Sequence, residues 1–292
     1  MKIINDCNYP PAIVASMEAQ QRKPRENPKW ISVTELIDSP QIRQLKRKHG
    51  HEIEVKASSL FASWRGTILH EEMARAVGGG AIEERLEVEV MGWTLSGQPD
   101  HADEVLSQEN DTLRDYKFLA MASGFGGPKD EHKRQLNIYR WLIWKLTGRT
   151  INRLVLNYLY QDWKLSESLR RMNYPPQHEE FVVPSWSFED TEEYVKARLL
   201  IHETENPQCS PAERWQSEPV FAVKKKGATK AVNGGKHESR DAAEQMAHDL
   251  NSKAKLGAVY IVEDRPGESR RCAMYCSLLP FCKQGQALTK EG

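Results

Sequence analysis

The chain of 292 residues lacks the features of membrane, secreted and fibrous proteins. Its most apolar stretches, residues 139–146 and 258–262, are far shorter than the roughly 18 residues that a membrane helix needs. The N-terminus, MKIINDCNYPP, has no basic segment followed by an apolar one, so a secretion signal is not indicated. Internal repeats and long low-complexity segments are missing as well. We therefore expect a cytoplasmic globular protein with no membrane partner.

Net charge is also absent, because 41 basic residues balance 41 acidic ones. Without a global field, a polyanion would be held by local patches or by metal ions. Two such patches exist: six Lys or Arg residues fall within Ala222–Arg240, and ten carboxylates fall within Glu83–Asp115. The first could meet phosphate and the second could hold cations, although each run is also typical of a solvated surface.

The chain contains only five cysteines, which is an odd number. At this length a hydrophobic core needs no covalent support, so a disulfide-stabilised miniprotein is excluded. Three cysteines lie close together, as Cys272-x3-Cys276-x5-Cys282. In a reducing compartment disulfides are disfavoured, and cysteines at such spacing more often bind metal. The spacing predicts a metal clip near the end of the sequence.

The distribution of apolar residues predicts an α/β protein in three parts. Residues 1–30 contain four prolines without a sustained period, which predicts a loosely packed arm. Residues 31–208 begin with the capping box Ser32-Val-Thr-Glu35 and are expected to form a helix, three strands, a helix and a strand around a mixed sheet. These segments are 60–77, 86–95, 97–106, 112–119, 129–146 and 151–160. Residues 209–292 carry a small α+β pattern, bracketed by Cys209 and the three closing cysteines.

Two carboxylates and a lysine occupy neighbouring predicted strands. Asp100 follows Gly97-Gln-Pro at a strand start, and Asp115-Tyr-Lys117 lies on the next strand. Residues two apart on a strand point to the same face, so Asp115 and Lys117 project into one site, and an antiparallel neighbour would bring Asp100 beside them. Paired carboxylates commonly hold Mg²⁺, and a nearby lysine can orient water and offset charge on a phosphate. Alone, the D-x-K pattern also fits a surface ion pair.

Four short motifs follow one another in a particular order. They are Gly66-x3-His70, Gly97-x-Pro-Asp100, Asp115-Tyr-Lys117 and Gln135-x3-Tyr139. In this order they resemble the motifs of the RecB-like branch of the PD-(D/E)XK nuclease superfamily, which includes the lambda-type exonucleases and the CRISPR-associated RecB-type nucleases. The resemblance covers roughly residues 31–160 together with the cysteine-rich end.

The resemblance implies a restriction-endonuclease-like core, with a central mixed sheet flanked by helices, and a site for Mg²⁺ or Mn²⁺. The residues it assigns to the site are His70, Asp100, Asp115 and the carbonyl of Tyr116 as metal ligands, Lys117 as the catalytic lysine, and Gln135 and Tyr139 on the following helix. Gln135 and Tyr139, four residues apart, share one helical face. The structural alternatives are a histidine packed beside Trp64 for His70 and a core position for Tyr139.

A second resemblance concerns the cysteines. RecB-type nucleases with an iron-sulfur cluster join three closely spaced C-terminal cysteines to a distant one, and this chain matches the trio with a first interval of three residues in place of the common two. Ser39-Pro40 stands where CRISPR-associated members carry the fourth ligand. The implied ligands of a 4Fe-4S cluster that closes the subdomain are Cys209, Cys272, Cys276 and Cys282, with Cys7 as the other candidate for the fourth position. A zinc site can use the same thiolates and is the alternative cofactor.

Together the two resemblances imply a Mg²⁺- or Mn²⁺-dependent deoxyribonuclease, an exonuclease that uses a metal-activated water in DNA recombination, repair or phage DNA processing. Its implied partners are linear DNA, single- or double-stranded, and a single-strand annealing protein. An endonuclease of the same fold and an inactive DNA-binding iron-sulfur protein are the alternatives. Phosphate contacts are expected from Lys224–Lys226 and Arg43–Lys48. Trp64, Trp93 and Phe125 are candidates either for base stacking or for the core.

Overall fold

The computed structural model describes residues 1–21, 25–76, 85–100, 112–254 and 258–290. The chain divides into two compact units, Met1–Pro207 and Gln208–Gly292. Within the described ranges, no helix combines the length and the apolar character that crossing a bilayer requires.

The first unit alternates helices and strands and is therefore of mixed α/β class. Its helices are α1 (Pro11–Ala19), α2 (Val33–Ile37), α3 (Pro40–His49), α4 (Ala57–Ala76), α5 (Met121–Gly124), α6 (Asp130–Thr147), α7 (Leu165–Ser168) and α8 (Phe188–Glu203). Its strands are β1 (Lys2–Ile4), β2 (Trp30–Ser32), β3 (Glu54–Lys56), β4 (Leu86–Val90), β5 (Trp93–Gly97), β6 (Thr112–Leu119), β7 (Arg153–Tyr160) and β8 (His178–Val183).

These strands form two mixed three-stranded sheets and one small parallel pair, rather than the single central sheet that the sequence predicts. In the first sheet β5 lies between β2, which is parallel to it, and β4, which is antiparallel. In the second sheet β7 lies between the parallel β6 and the antiparallel β8. In the described ranges, no hydrogen-bonded ladder joins the edge strands of one of these sheets to those of the other.

The predicted strand over residues 86–95 is instead a hairpin made of β4 and β5. Val90 pairs with Trp93, and Met91 and Gly92 form the turn with φ angles of 52° and 73°. Two left-handed turn residues match the twist of the flanking strands. Of the predicted strand over residues 97–106, residues 101–106 lie outside the described residues, and β5 ends at Gly97.

The segment before residue 31 is more ordered than a loose arm. It contains β1, which pairs with β3, and α1, which buries Met17. Pro11 occupies the first position of α1, where a missing amide hydrogen costs no helical hydrogen bond. Proline therefore starts a helix here, although the sequence analysis takes the prolines of this segment as a sign of irregular chain.

The capping box and the long helix α6 agree with the sequence prediction. Ser32 Oγ accepts a hydrogen bond from the amide of Glu35 at 3.2 Å, and the Glu35 carboxylate accepts one from the amide of Ser32 at 3.1 Å. Helix α6 ends at the left-handed Gly148. Its inner face lies at the centre of the core, with Leu136, Trp141 and Leu142 fully buried. This rigid helix carries the Gln-x3-Tyr motif.

The second unit has an α+β arrangement. Its elements are β9 (Val220–Lys225), β10 (Lys236–His237), α9 (Arg240–Ser252), β11 (Tyr260–Arg265), a π-helical turn (Arg271–Tyr275), a 3₁₀ turn (Leu279–Phe281) and α10 (Lys283–Lys290). Strand β9 is central and pairs antiparallel with β10 and with β11. Ala243 and Ala247 of α9 pack against Val223 of β9 and form a small core.

Candidate active site

Asp115 and Lys117 lie on the same face of β6 and form an ion pair. Lys117 Nζ donates a hydrogen bond to Asp115 Oδ1 at 3.1 Å and lies 2.8 Å from Oδ2. Only 1% of Asp115 is exposed. Burial raises the pKa of Asp115 to about 6; Lys117 opposes the rise and the charge of Asp100 adds to it. Burial also disfavours the charge of Lys117, but Asp115 and Asp100 outweigh it and raise the Lys117 pKa.

Asp100 reaches this pair from the end of the hairpin. Its Oδ2 accepts a hydrogen bond from the amide of Tyr116 at 3.0 Å, between the two motif residues of β6. The same oxygen lies 3.4 Å from Nδ1 of His70 on α4. The His70 ring meets the ring of Phe118 edge to face, at a centroid distance of 5.2 Å. Three separate segments therefore converge on one point beside β6.

Gly97 explains how the hairpin comes so close to α6. A Cβ atom at this position would lie 2.8 Å from Cε1 of Tyr139 and 2.8 Å from Cδ1 of Leu142. Any side chain at position 97 would therefore push β5 away from the helix. Because Asp100 follows three residues later, the small residue at this position also determines where that carboxylate is placed.

Gln135 and Tyr139 face the same site from α6. Gln135 Nε2 donates a hydrogen bond to Tyr139 Oη at 2.9 Å, and both side chains are buried. Burial, together with the charge of Asp115, raises the pKa of Tyr139 to about 12. The phenol is thus held neutral as a hydrogen-bond donor. Tyr139 also belongs to the hydrophobic core, so the core position and the place beside the carboxylates are compatible.

His132 is a site neighbour that the sequence analysis missed. Its Nδ1 lies 2.7 Å from the hydroxyl of Tyr158, which pairs with Lys117 across β6 and β7. Burial, followed by the charges of Lys117 and Lys129, lowers the pKa of His132 to about 3, so the ring is neutral. The available signal was the spacing: His132 precedes Gln135 by three residues on the same helical face.

The donors at this site fit a hard divalent cation, although no three His, Cys, Asp or Glu side chains of the described residues form a ready-made metal group. Asp115 Oδ2 is buried, and within the described residues it is ion-paired with Lys117 Nζ at 2.8 Å without the angles of a hydrogen bond. A cation would satisfy this oxygen and offset the repulsion between Asp115 and Asp100. The Tyr116 amide is engaged by Asp100, and ligation by the Tyr116 carbonyl stays a prediction.

In the second unit Cys272 senses the charges of Cys276 and Cys282, but no three cysteines among the described residues form a ready-made metal group. Gln284 accepts a hydrogen bond from the amide of Cys209 at 2.9 Å and donates one to its carbonyl at 3.0 Å, which ties Cys209 to α10. The amide of Gly285 donates to Sγ of Cys282 at 3.2 Å. Burial, followed by the nearby Cys276 and Cys282, raises the pKa of Cys272. Cys7, the other candidate ligand, is exposed and belongs to the first unit.

Arg43 is not available for phosphate, which corrects one predicted contact. Its guanidinium donates hydrogen bonds to the carbonyls of Pro28 at 2.7 Å and Trp30 at 3.1 Å, and it lies 4.9 Å from the centroid of the Trp93 ring. Buried as it is, Arg43 fastens the chain before β2 to α3. Residues 46–48 are exposed and stay candidates for phosphate contact.

The three tryptophan and phenylalanine candidates for stacking differ in exposure. Trp93 is buried, and its indole donates a hydrogen bond to Glu203 at 2.9 Å. Trp64 packs against Phe61 and donates to Ser16 Oγ at 3.0 Å. Both tryptophans therefore have structural roles. Phe125 differs from them, because 70% of it is exposed.

Neither a protein-family model nor a curated protein matches the chain. Among solved structures, the crystal structure of SSO0001 is similar, with a TM-score of 0.46 and 18% sequence identity, and the match covers 70% of this chain and 87% of that chain.

Proposed function

We propose that this protein is a divalent-metal-dependent nuclease that hydrolyses phosphodiester bonds of DNA and degrades linear DNA from its ends. The observation that carries the proposal is the meeting of Asp100, Asp115 and Lys117. Asp100 joins the ion pair of β6 from a separate segment, and the buried Asp115 keeps an oxygen that, among the described residues, is ion-paired with Lys117 without accepting a hydrogen bond. The exonuclease activity and the restriction-endonuclease-like core of the proposal come from the motif resemblance.

Asp100, Asp115 and His70, with the Tyr116 carbonyl, are the groups that would hold Mg²⁺ or Mn²⁺ in this proposal. When bound, such an ion acts as a Lewis acid toward a phosphate oxygen and lowers the pKa of water. Carboxylate oxygens suit both ions, and Mn²⁺ also accepts imidazole. The repulsion between the two aspartates in the ion-free site is consistent with a place for positive charge.

Lys117 would act as the positive charge that faces the reacting phosphate. An ammonium in a site with little water offsets the charge that develops on phosphate oxygens more strongly than it would in bulk solvent. Asp115 holds this ammonium in place through the 3.1 Å hydrogen bond. Tyr139, kept neutral, and Gln135 would donate hydrogen bonds to the bound strand or to a water beside it in this proposal.

The second unit would carry the 4Fe-4S cluster of this proposal, bound by the four cysteines that it contains, with zinc as the alternative. The donor set is chemically suitable, because thiolates favour soft metals and iron-sulfur clusters. The cluster would form in a reducing, cytoplasmic compartment, where free thiols persist. Exposed lysines of the same unit, Lys225 and Lys226, would add phosphate contacts, whereas Lys224, also predicted for this role, is engaged by Glu263.

Incubation with end-labelled linear DNA and with covalently closed circular DNA, in the presence of Mg²⁺ or Mn²⁺, tests the proposal. We expect linear DNA to be degraded and circles to stay intact. Asp115→Asn should abolish degradation, whereas Asp241→Asn, at an exposed position of the second unit, should not. Nicking of circles would indicate that the protein is an endonuclease and not an exonuclease. An absence of cutting with both ions would contradict hydrolysis altogether.

A further inference from the structure

The second unit exposes a pair of aromatic rings that the proposed hydrolysis does not use. The rings of Trp215 and Tyr275 lie 5.4 Å apart between centroids and are tilted by 59°. Trp215 is 45% exposed and Tyr275 is 66% exposed. The guanidinium of Arg271 lies 5.3 Å from the Trp215 ring centroid. Within the described residues, neither the indole N–H nor the phenol hydroxyl of this pair has a hydrogen-bond partner.

The backbone that carries Trp215 is held in an unusual conformation. Its φ is 53°, in the left-handed region that bulky residues rarely adopt. The turn is closed by hydrogen bonds from the Trp215 amide to the Ala212 carbonyl at 3.0 Å and from the Gln216 amide to the Pro211 carbonyl at 2.9 Å. Strained residues of this kind persist only where the surrounding structure imposes them, and they cluster at binding sites.

A partly buried network of polar side chains supports the turn that carries Trp215. Ser269 accepts a hydrogen bond from Nε of Arg214 at 3.2 Å and donates one to Oε1 of Gln216 at 2.6 Å. Nε2 of Gln216 donates to the carbonyl of Gly267 at 2.6 Å. Because these bonds join the two chain segments on both sides of Trp215, the exposed ring sits on a rigid base. A preorganised ring of this kind binds a flat ligand without first having to be ordered.

Cations of this unit surround an open cavity of about 510 Å³. Lys230, Lys236 and Arg265 line the cavity, with the turn that contains Gly234. Arg265 is committed within the protein, since it donates to the Thr229 carbonyl at 2.8 Å and to Glu263 at 2.8 Å. Lys230 and Lys236 are exposed and form no ion pair with any described residue. Their charge is therefore available to an anionic ligand.

The cavity and the aromatic pair adjoin along the chain. Arg265 ends β11 and is followed two residues later by Gly267, whose carbonyl is held by Gln216, the neighbour of Trp215. The cavity with its free ammonium groups and the exposed rings are thus joined by a short stretch of chain and one hydrogen bond. A single nucleic-acid strand has this composition, with charged phosphates along its backbone and base faces that are free to stack. In a duplex the base faces are already covered by neighbouring bases.

We propose that the second unit contains a binding site for single-stranded nucleic acid, in which bases stack on Trp215 and Tyr275 and phosphates contact Lys230 and Lys236. Charge favours a nucleic-acid strand over a protein as the ligand. The two lysines lack acidic partners among the described residues, and a nucleic-acid strand supplies anions and flat rings in one chain, whereas a protein would have to combine acidic side chains with an apolar face. Binding at this site requires no divalent cation, so it does not depend on hydrolysis.

Fluorescence anisotropy with the full chain in EDTA tests the proposal. The probes are a labelled thymidine homopolymer of about 20 nucleotides, a strand of equal length without bases, and the corresponding duplex. We expect the homopolymer to bind at least about tenfold more tightly than the abasic strand and the duplex, because only it offers free base faces. Equal affinity for the homopolymer and the abasic strand, or a preference for duplex, would overturn the proposal.

Variants separate the rings from the lysines. Tyr275→Ala and Trp215→Ala should each weaken homopolymer binding about fivefold or more and leave abasic binding unchanged. Met274→Ala is the control, because it removes an equally exposed side chain that has no ring. Trp215→Asn serves if Trp215→Ala unfolds, since asparagine tolerates a positive φ. Undiminished homopolymer binding by a folded Trp215 variant would refute stacking.

The double variant Lys230→Gln/Lys236→Gln should weaken both single strands alike. It should also lower the slope of log affinity against log salt by about 1.4, the value for two phosphate contacts on a single strand. Arg270→Gln/Lys283→Gln is the matched control, because it removes the same charge from exposed positions of the same unit outside the cavity. Equal loss in both double variants would show a general charge effect and contradict the site.

Discussion

Lys117 Nζ lies 2.8 Å from Oδ2 of Asp115, a carboxylate that is almost completely buried. Such a pair is a weak source of stability, because removing two charges from water costs about as much as their attraction returns. Breaking the pair from one side is strongly unfavourable, since the remaining charge stays buried and unpaired. The arrangement is thus better suited to holding an ammonium and a carboxylate at fixed positions than to stabilising the fold.

Replacement of Lys117 should separate catalysis from binding. We expect Lys117→Met to lower the proposed DNA hydrolysis by at least about 100-fold, the usual loss when one electrostatic contact to the reacting group is removed. Binding of DNA in EDTA should change little, because other cations contact the backbone. Lys164→Met, at an exposed position, is the control. Single-turnover rates on labelled linear DNA measure the effect, and a rate near that of the unmodified protein would contradict the role of Lys117.

Affinity for Mn²⁺ should depend on pH through Asp115. Its pKa is about 6 in the ion-free protein, so protons compete with the cation below that pH. We expect the dissociation constant of Mn²⁺, measured by calorimetry, to rise about tenfold between about pH 7.5 and about pH 5. Asp115→Asn should bind the ion weakly at both values. A dissociation constant that does not change with pH would show that this carboxylate is not a ligand.

Acid is also expected to act through His132, in this case on the stability of the fold. Its pKa falls from an ordinary 6.5 to about 3, so the unfolded chain takes up a proton more readily than the folded one. The stability that the neutral ring contributes is present above about pH 6.5 and is lost as the pH falls toward about 3. Between about pH 7 and about pH 5, the free energy of unfolding should therefore fall by about 2 kcal/mol more in the unmodified protein than in His132→Gln.

Urea unfolding at the two pH values measures this difference. Glutamine keeps a hydrogen-bond partner for Tyr158 and does not titrate in this range. His51→Gln is the control, since His51 is exposed. If His132→Gln lost stability with acid as steeply as the unmodified protein, another group would be responsible for the acid sensitivity.

How much the sequence could predict follows from the range of the interactions. The capping box, α6 and the shared face of Asp115 and Lys117 depend on residues a few positions apart, and all three predictions agree with the structure. The strands divide into two sheets because distant segments pair, such as β2 with β5. The alternation of apolar residues within a segment does not show which distant segment it will pair with. The burial of Arg43 likewise depends on carbonyls that fold back from the segment before it.

For the hairpin and for His132, the sequence carried a local signal that the predictions did not use. Alternation of apolar residues shifts by one position at Met91-Gly92, and this shift indicates a turn within what otherwise reads as one strand. His132 shares a helical face with Gln135, but a face alone does not reveal that Tyr158 and Lys117 will lie against it. That juxtaposition requires the pairing of β6 with β7.

The cofactor proposal predicts a coloured protein. Prepared without oxygen, the chain should be brown and absorb visible light, and Cys276→Ala should remove the colour and lower the melting temperature of the second unit. Cys7→Ala should change neither, because the four proposed ligands are all cysteines of the second unit and Cys7 is exposed. Absorption spectra and metal analysis check this. A colourless protein that contains zinc would establish the alternative metal, and a protein without either would contradict a cofactor.

Gly97 offers a test of how the hairpin positions Asp100. A methyl group at position 97 would approach Tyr139 and Leu142 to 2.8 Å, closer than carbon atoms pack. Gly97→Ala should therefore lower the free energy of unfolding by about 1–3 kcal/mol, and it should reduce the proposed hydrolysis further by shifting Asp100 away from the Tyr116 amide. Gly66→Ala is the matched control: nothing lies within 4 Å of its added methyl group, and alanine favours the helix interior by about 0.5–1 kcal/mol. Chemical denaturation and rate measurements on both variants test this prediction. If Gly97→Ala changed neither the free energy of unfolding nor the rate, the position of β5 would not depend on this close approach.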